Sequence, residues 1–348
     1  MTSQGRSPAA TPRTVLLTGA TGAVGTALLS ALADFEIVAL VHRQPLLGIG
    51  THAIRGDVTQ PRLGLEHGEF RALARRIDAI VHSAAVTSFT TDRDSAQNVN
   101  VKGTEHLLEL ASLAGAPLYY LSTAFVARAD QVSGSDHGVS PYVASKSRAE
   151  ERVRASGLPA VIIRPSVVIG DSVTGHAAAF QGLHGLAGAL LRGFLPLVPL
   201  DPGARIDYVP RDVVARSVAD IVRSGQVEGE HWLTAGADAL PVRRVIELCM
   251  DVGRELGLDP VAPRLVAPQL VERLIRPVLI DTFGETAQRH FDGMLDMVTL
   301  FRDTEAFPST LASLGRALSR EQLERAFVAS MRYWARQKGL ADQQGLAA

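Results

Sequence analysis

The sequence is poor in the residues that several functional classes require. Its 348 residues include one cysteine, Cys249. A single thiol excludes an internal disulfide and a cysteine metal cluster, and within Val245–Val252 it reads as a buried apolar side chain. Aromatic residues make up 5%, too few for a base-stacking surface, and a formal net charge of −1 gives no basic field for nucleic acid. No secretory signal is visible: Met1–Pro12 is small and polar, and the run Val15-Leu16-Leu17 is too short for a signal core. The expected location is therefore the cytoplasm. A long hydrophobic run is missing too. The most apolar stretch, Leu186–Leu200, is shorter than a bilayer span and is interrupted by Arg192, Pro196 and Pro199. No transmembrane segment is expected; the stretch reads as a helix and loop over an apolar pocket, with peripheral membrane contact as the alternative.

What is present is a 46% hydrophobic chain whose first half alternates strand and helix patterns. Thr14–Thr18, Glu36–Val41, Asp78–His82, Leu118–Ser122 and Ala160–Arg164 read as strands. Ala23–Ala33, Ala96–Ala114 and Pro141–Ala155 read as helices between them. Short apolar strands separated by helices predict a parallel sheet covered on both faces. After Gly170 glycine, proline and leucine dominate to Pro202, and from Pro241 the pattern is mostly helical, closing with Glu321–Lys338. Phe301–Leu314 reads as core rather than pocket wall.

Three groups of residues carry chemistry. Thr18-Gly19-Ala20-Thr21-Gly22-Ala23-Val24-Gly25 joins a strand to a helix. Its glycines let backbone approach a pyrophosphate, and the helix N-terminus offers unpaired N–H groups. The end of the second strand reads Val41-His42-Arg43. It lacks the acid that would bond a ribose 2′-hydroxyl and offers a guanidinium suited to a 2′-phosphate, so NADPH is expected, held by Arg43 with His42 assisting. Tyr142 and Lys146 stand one helical turn apart on one face, where an ammonium would lower the phenol pKa and the phenol would protonate an oxyanion.

These pieces occur in the order of the extended short-chain dehydrogenase/reductase family, together with Gly56-Asp57-Val58, His82-Ser83-Ala84-Ala85, Asn100-Val101-Lys102-Gly103-Thr104 and Arg164-Pro165-Ser166. The sequence resembles that family from Thr14 to about Val222. The resemblance implies a Rossmann-type doubly wound α/β fold with a smaller, mostly helical C-terminal substrate lobe. Residues 1–13 would be a flexible tail, 14–170 the NADP-binding core, 171–340 a mixed region completing the sheet and forming the lobe, and 341–348 a second tail. By the same resemblance Asp57 contacts adenine with Val58 beside it, and Ala84 and Ala85 pass the cofactor ribose. Ser83, Pro165, Ser166 and Val167 join Gly19, Thr21, Gly22, Ala23, Val24, Gly25 and Lys146 in holding the cofactor. Thr123 is assigned the catalytic hydroxyl, with Ser122 as its alternative, and Asn100 holds the central helix and a proton-relay water.

Three stretches, Gly56–Leu65, Ile163–Gly175 and Phe180–Val213, are similar to the thioester reductase and fatty acyl reductase branch, with the Pro61–Leu65 insertion as the most distinctive. The branch implies hydride transfer to an acyl thioester, giving an aldehyde or, after a second transfer, an alcohol. With no acid-activating or carrier domain expected in the sequence, the thioester would come from a carrier protein or coenzyme A. Arg205, Arg211, Arg216, Arg243 and Arg244 are candidates for a basic receiving patch, or are scattered solvated charges. Two other readings stand: an NADP-dependent alcohol/ketone oxidoreductase, and a non-catalytic NADPH-binding protein, against which the intact Tyr142–Lys146 pair argues.

Overall fold

The computed structural model describes residues 13–43, 46, 52–88, 91–128, 140–180, 182–267 and 305–340, with isolated positions between 270 and 301. Both expected tails, apart from Arg13, lie outside them.

Seven parallel strands form the sheet: β1 (Thr14–Thr18), β2 (Glu36–Val41), β3 (His52–Arg55), β4 (Ala79–His82), β5 (Leu118–Leu121), β6 (Ala160–Pro165) and β9 (Glu228–Leu233). Their order is β9-β6-β5-β4-β1-β2-β3. The order reverses direction at β1, so β1 and β4 open a crevice at their carboxyl ends, the usual ligand site of such sheets. Strand alternation sends Val15 and Leu17 to one face and Leu16 to the other. On the first face α1 (Gly25–Ala31) and α6 (Arg211–Arg223) cover the sheet. On the second lie α2 (His67–Arg76), α3 (Gly103–Ala114) and α4 (Pro141–Ala155).

A third core lies among the later helices. It joins α5 (Gly182–Leu191), α7 (Val242–Glu255) and α8 (Arg320–Gln337) around Phe301, Phe307, Phe327 and Trp334. Ser319 caps α8 by a reciprocal pair with Gln322, as its Ser-x-x-Gln spacing allows. Cys249 is buried in this core, and burial pushes its thiol up to about 12. Phe307 and Leu311 are core residues, not cleft lining.

Several boundaries depart from the sequence reading. β3 was not expected, because His-Ala-Ile-Arg has no apolar run; it is a mostly exposed edge strand that needs only one neighbour. The helix expected from Ala96 begins at Arg93 and passes through a π-helical segment, Gln97–Lys102, before α3. The region after Pro241 also contributes two-residue strands: Leu240–Pro241 pairs with Arg205–Ile206, and Arg264–Leu265 with Leu197–Val198. A further short pair, β7 (Val167–Ile169) with β8 (Tyr208–Pro210), stands beside the crevice. Among the described residues no helix is long and apolar enough to cross a membrane.

Candidate active site

The glycine loop is shaped first by its own packing. Gly19 has φ of +71°, and a Cβ there would meet the Ala84 nitrogen at 2.6 Å; a Cβ on Gly25 would meet the Gly19 carbonyl oxygen at 1.9 Å. Only glycine lets the β1 turn, the start of α1 and the segment after β4 close together. Thr18 and His82, paired across β1 and β4, fasten the same corner: Thr18 Oγ1 lies 2.7 Å from His82 Nδ1 and accepts from Ala84 N at 3.2 Å. Burial, with the Lys146 charge nearby, pushes the His82 pKa down to about 3, so this ring is neutral.

From that corner a cleft opens, lined by Val24, Ser83, Ala85, Ser122, Thr123, Tyr142, Lys146, Pro165, Ser166 and Val167. These expected site residues come from five separate stretches, brought together by the carboxyl ends of β1, β4, β5 and β6 and the first two turns of α4. The sequence reading missed Thr87, Phe125, Gly182 and Leu183 in the same lining. Phe125 follows the Ser-Thr strand end directly and was the one with a usable signal. Thr21, Gly22 and Ala23 form the loop beside the cleft rather than its wall.

Thr123 and Tyr142 line the cleft together, and the Thr123 hydroxyl acts to lower the phenol's pKa. Lys146 Nζ donates to the Leu121 carbonyl at 2.5 Å and stands 4.4 Å from the Tyr120 ring centre. The expected lowering of the phenol pKa by Lys146 is not found in the protein alone. Burial raises Tyr142 to about 12, against the Thr123 hydroxyl, and lowers Lys146 to about 7, against the Glu150 charge. An ammonium that is itself half-neutral near pH 7 has little charge to lend.

Asn100 lies behind the cleft, in the π-helical segment. Its Nδ2 donates to Ser145 Oγ at 2.8 Å and to the Val86 carbonyl at 3.0 Å, while Oδ1 accepts from Val86 N at 2.9 Å. Ser145 donates in turn to the Tyr142 carbonyl at 2.7 Å. Asn100 thus ties the cleft wall to α4.

The residues expected at the adenine lie apart from the cleft lining. His42 Nε2 lies 3.3 Å from Asp57 Oδ2, and Asp57 Oδ1 accepts from Thr59 N and Oγ1. Arg43 is exposed and makes no ion pair among the described residues. Val58 packs on Gly103, and its carbonyl faces His106 Nδ1 at 2.8 Å. The Pro61–Leu65 insertion also belongs here. Its turn holds Arg62 and Leu63 at positive φ, buries Leu63, and lets the Leu63 carbonyl accept from Asp57 N. It lines no part of the cleft, so its link to the substrate is not a contact.

The five arginines, candidates for a basic patch or scattered charges, do not form a patch. Arg216 pairs with Asp212, Arg244 with Glu324 and Glu247, and Arg205 donates to the Ala239 carbonyl. Arg211 is buried, leaving Arg243 exposed. A second depression meets the cleft at Gly182. It is bounded by Phe180, Gly188, Phe194 and Trp334, with Arg192 over the Trp334 ring and Lys338 near the Phe180 ring.

A dinucleotide suits this arrangement. No side chain caps α1 and no acid sits in its first turn, which leaves its N–H groups for a diphosphate. Ser122 Oγ is buried without a partner in the cleft. Residues 50–218 match the family model described as male sterility protein, an NAD-binding domain. The terminal R domain from the myxalamid PKS-NRPS pathway superposes with a TM-score of 0.71 at 24% identity, over 94% of this chain and 92% of that one.

The chain is similar to the extended short-chain dehydrogenases/reductases.

The matched model is that of an NAD-binding domain, and the fold is shared with reductase domains of synthetases. The reductase domain of a Mycobacterium tuberculosis nonribosomal peptide synthetase gives a TM-score of 0.67 at 21% identity, covering 97% of this chain and 94% of that one. Fusarin C synthetase of Gibberella moniliformis is 29% identical over 306 residues, 76% of this chain. The hybrid PKS-NRPS synthetase LUC5 of Fusarium sp is 32% identical over 233 residues, 59% of this chain. The chain spans only 8% and 6% of those two proteins.

Proposed function

We propose that the protein reduces an acyl thioester with NADPH, giving an aldehyde or, after a second reduction, an alcohol. The observation that carries this reading is the convergence of Thr123, Tyr142 and Lys146 on one cleft beside the glycine loop. The similarity to reductase domains of thioester-processing synthetases supports the substrate class.

The cofactor would lie over the first turn of α1, with Ser83, Ala84 and Ala85 along its ribose, Pro165, Ser166 and Val167 on the opposite side, and Asp57 and Val58 toward the adenine. When bound it supplies hydride. Arg43, exposed and without an ion-pair partner among the described residues, would take a 2′-phosphate, with His42 beside it. Thr123 and Tyr142 orient the thioester carbonyl. As hydride reaches the carbonyl carbon, Tyr142 gives its proton to the carbonyl oxygen, forming a hemithioacetal. Its hydroxyl then returns a proton to the phenolate, the C–S bond breaks, and the departing thiolate takes up a proton, leaving aldehyde and thiol. Lys146 in its charged form lowers the cost of the phenolate. Asn100 keeps α4 in place behind this exchange.

The acyl donor, bound to a carrier protein or coenzyme A, would approach along the depression that meets the cleft at Gly182. Arg192 and Lys338 at that depression have no ion pair among the described residues and suit a donor that bears phosphate. The test is NADPH consumption with carrier-bound and coenzyme A thioesters, with aldehyde and alcohol trapped. Turnover of free ketones with no thioester turnover would replace this reading with an alcohol/ketone oxidoreductase.

A further inference from the structure

Arg211 is a charge that the fold buries without a bonded carboxylate. The residue is 7% exposed. Its two hydrogen bonds go to neutral atoms, Thr26 Oγ1 at 2.8 Å and His176 Nδ1 at 3.2 Å. It makes no ion pair among the described residues. Asp171 and Asp212 act on it through space only: Asp171 accepts from Val173 N, Thr174 N and Thr174 Oγ1, and Asp212 from Ser172 and Arg216. Burial therefore pulls its pKa down, whereas Arg244, paired with Glu324 and Glu247, is raised. A buried cation without a paired anion is costly unless something negative joins it.

Its position says what that is. Arg211 opens α6, whose first residue donates to the Gly170 carbonyl just past β7. Thr26 stands one residue beyond Gly25, in the first turn of α1. The guanidinium therefore rests against the turn whose N–H groups face the cofactor diphosphate, and three of its five N–H donors are uncommitted. An uncapped helix N-terminus and a guanidinium with uncommitted donors beside it attract the same group from two sides.

We propose that Arg211 is a ligand of the cofactor's diphosphate, reaching from the first turn of α6 over the first turn of α1. The proposal rests on the nicotinamide cofactor alone, not on the thioester. His176, which accepts the other guanidinium hydrogen bond, belongs to the segment leading from β7 toward α5 and the cleft. Arg211 thus also connects the cofactor's phosphates to that segment.

The test is fluorescence titration of NADPH and NADH binding. Both cofactors carry the diphosphate, so Arg211→Leu should weaken both by the same factor, about tenfold to a hundredfold. Arg43→Ala, at the 2′-phosphate, should weaken NADPH alone. Thr26→Val removes the neutral contact and keeps the guanidinium, so it should hold affinity within about threefold of wild type. If Arg211→Leu fails to fold, Arg211→Lys keeps the charge without the fork and should show a smaller loss for both cofactors. Unchanged NADPH affinity in the Leu variant, or in the Lys variant where that one is used, overturns the proposal. So does a loss in Thr26→Val equal to that in the Arg211 variant, which would mean that the pair only packs the two helices.

Discussion

Asn100 Nδ2 lies 2.8 Å from Ser145 Oγ, which donates to the Tyr142 carbonyl, so one buried amide joins the wall at Val86 to the helix bearing Tyr142 and Lys146. Asn100→Ala leaves these partners unsatisfied, at a cost of about 1–3 kcal/mol for each buried group. Thermal unfolding should shift down. In addition kcat should fall by at least about tenfold, because the proton donor loses its placement, while NADPH affinity stays within about threefold. Loss of stability with unchanged kcat would reduce Asn100 to a structural tie.

Glu150 and Arg164 make a buried two-bond pair at 2.8 and 2.7 Å, one turn after Lys146. Both side chains are at most 5% exposed, whereas Glu230, Arg164's other partner, is 40% exposed. Glu150→Gln strands the guanidinium and should cost about 3 kcal/mol or more in denaturant unfolding. Glu230→Gln should cost under about 1 kcal/mol. Equal losses would contradict this ordering.

Lys146 predicts how cofactor binding depends on pH. Burial holds its pKa near about 7 in the protein alone, against the Glu150 charge, so at pH 8 the amine is mostly neutral. An anionic cofactor favours the ammonium, and binding should therefore take up close to one proton at that pH. NADPH affinity should be level below pH 7, where the amine is already charged. Above it, affinity should fall by about tenfold per unit until the bound-state pKa is passed. Calorimetry in buffers of different ionisation enthalpy measures the uptake, and Lys146→Met should abolish it. Proton release, or uptake that survives in the Met variant, would contradict the assignment.

Arg192 and Lys338 predict a split between substrates. Reversing both to Glu should raise KM for a coenzyme A thioester by about tenfold or more. A thioester of N-acetylcysteamine, which has no phosphate, should be turned over as by wild type. Steady-state kinetics on the two substrates reads this directly, and equal effects on both would remove the depression from the donor's path.

The parallel sheet was legible in the sequence because its central strands are buried on both faces and read as continuous apolar runs, as in Ala-Ile-Val-His of β4. The edge strand β3 carries no such signal. The placing of Tyr142 and Lys146 on one helix was legible because Pro141 marks its start. Arg211 shows what spacing cannot reveal. As one of several arginines it reads as a surface charge, and its burial depends on two helices distant in sequence meeting at Thr26. The Pro61–Leu65 insertion shows the reverse: a distinctive local signal whose place, beside Asp57, is remote from the cleft where the substrate would react.

The central claim is that Tyr142 delivers the proton when an acyl thioester is reduced. The direct measurement is the single-turnover rate of thioester reduction by NADPH in wild type and Tyr142→Phe, with the aldehyde trapped and NADPH affinity measured in parallel. The account predicts aldehyde from wild type, a rate at least about a hundredfold lower in the Phe variant, and cofactor affinity within about threefold. Thioester reduction at the wild-type rate by Tyr142→Phe would contradict it.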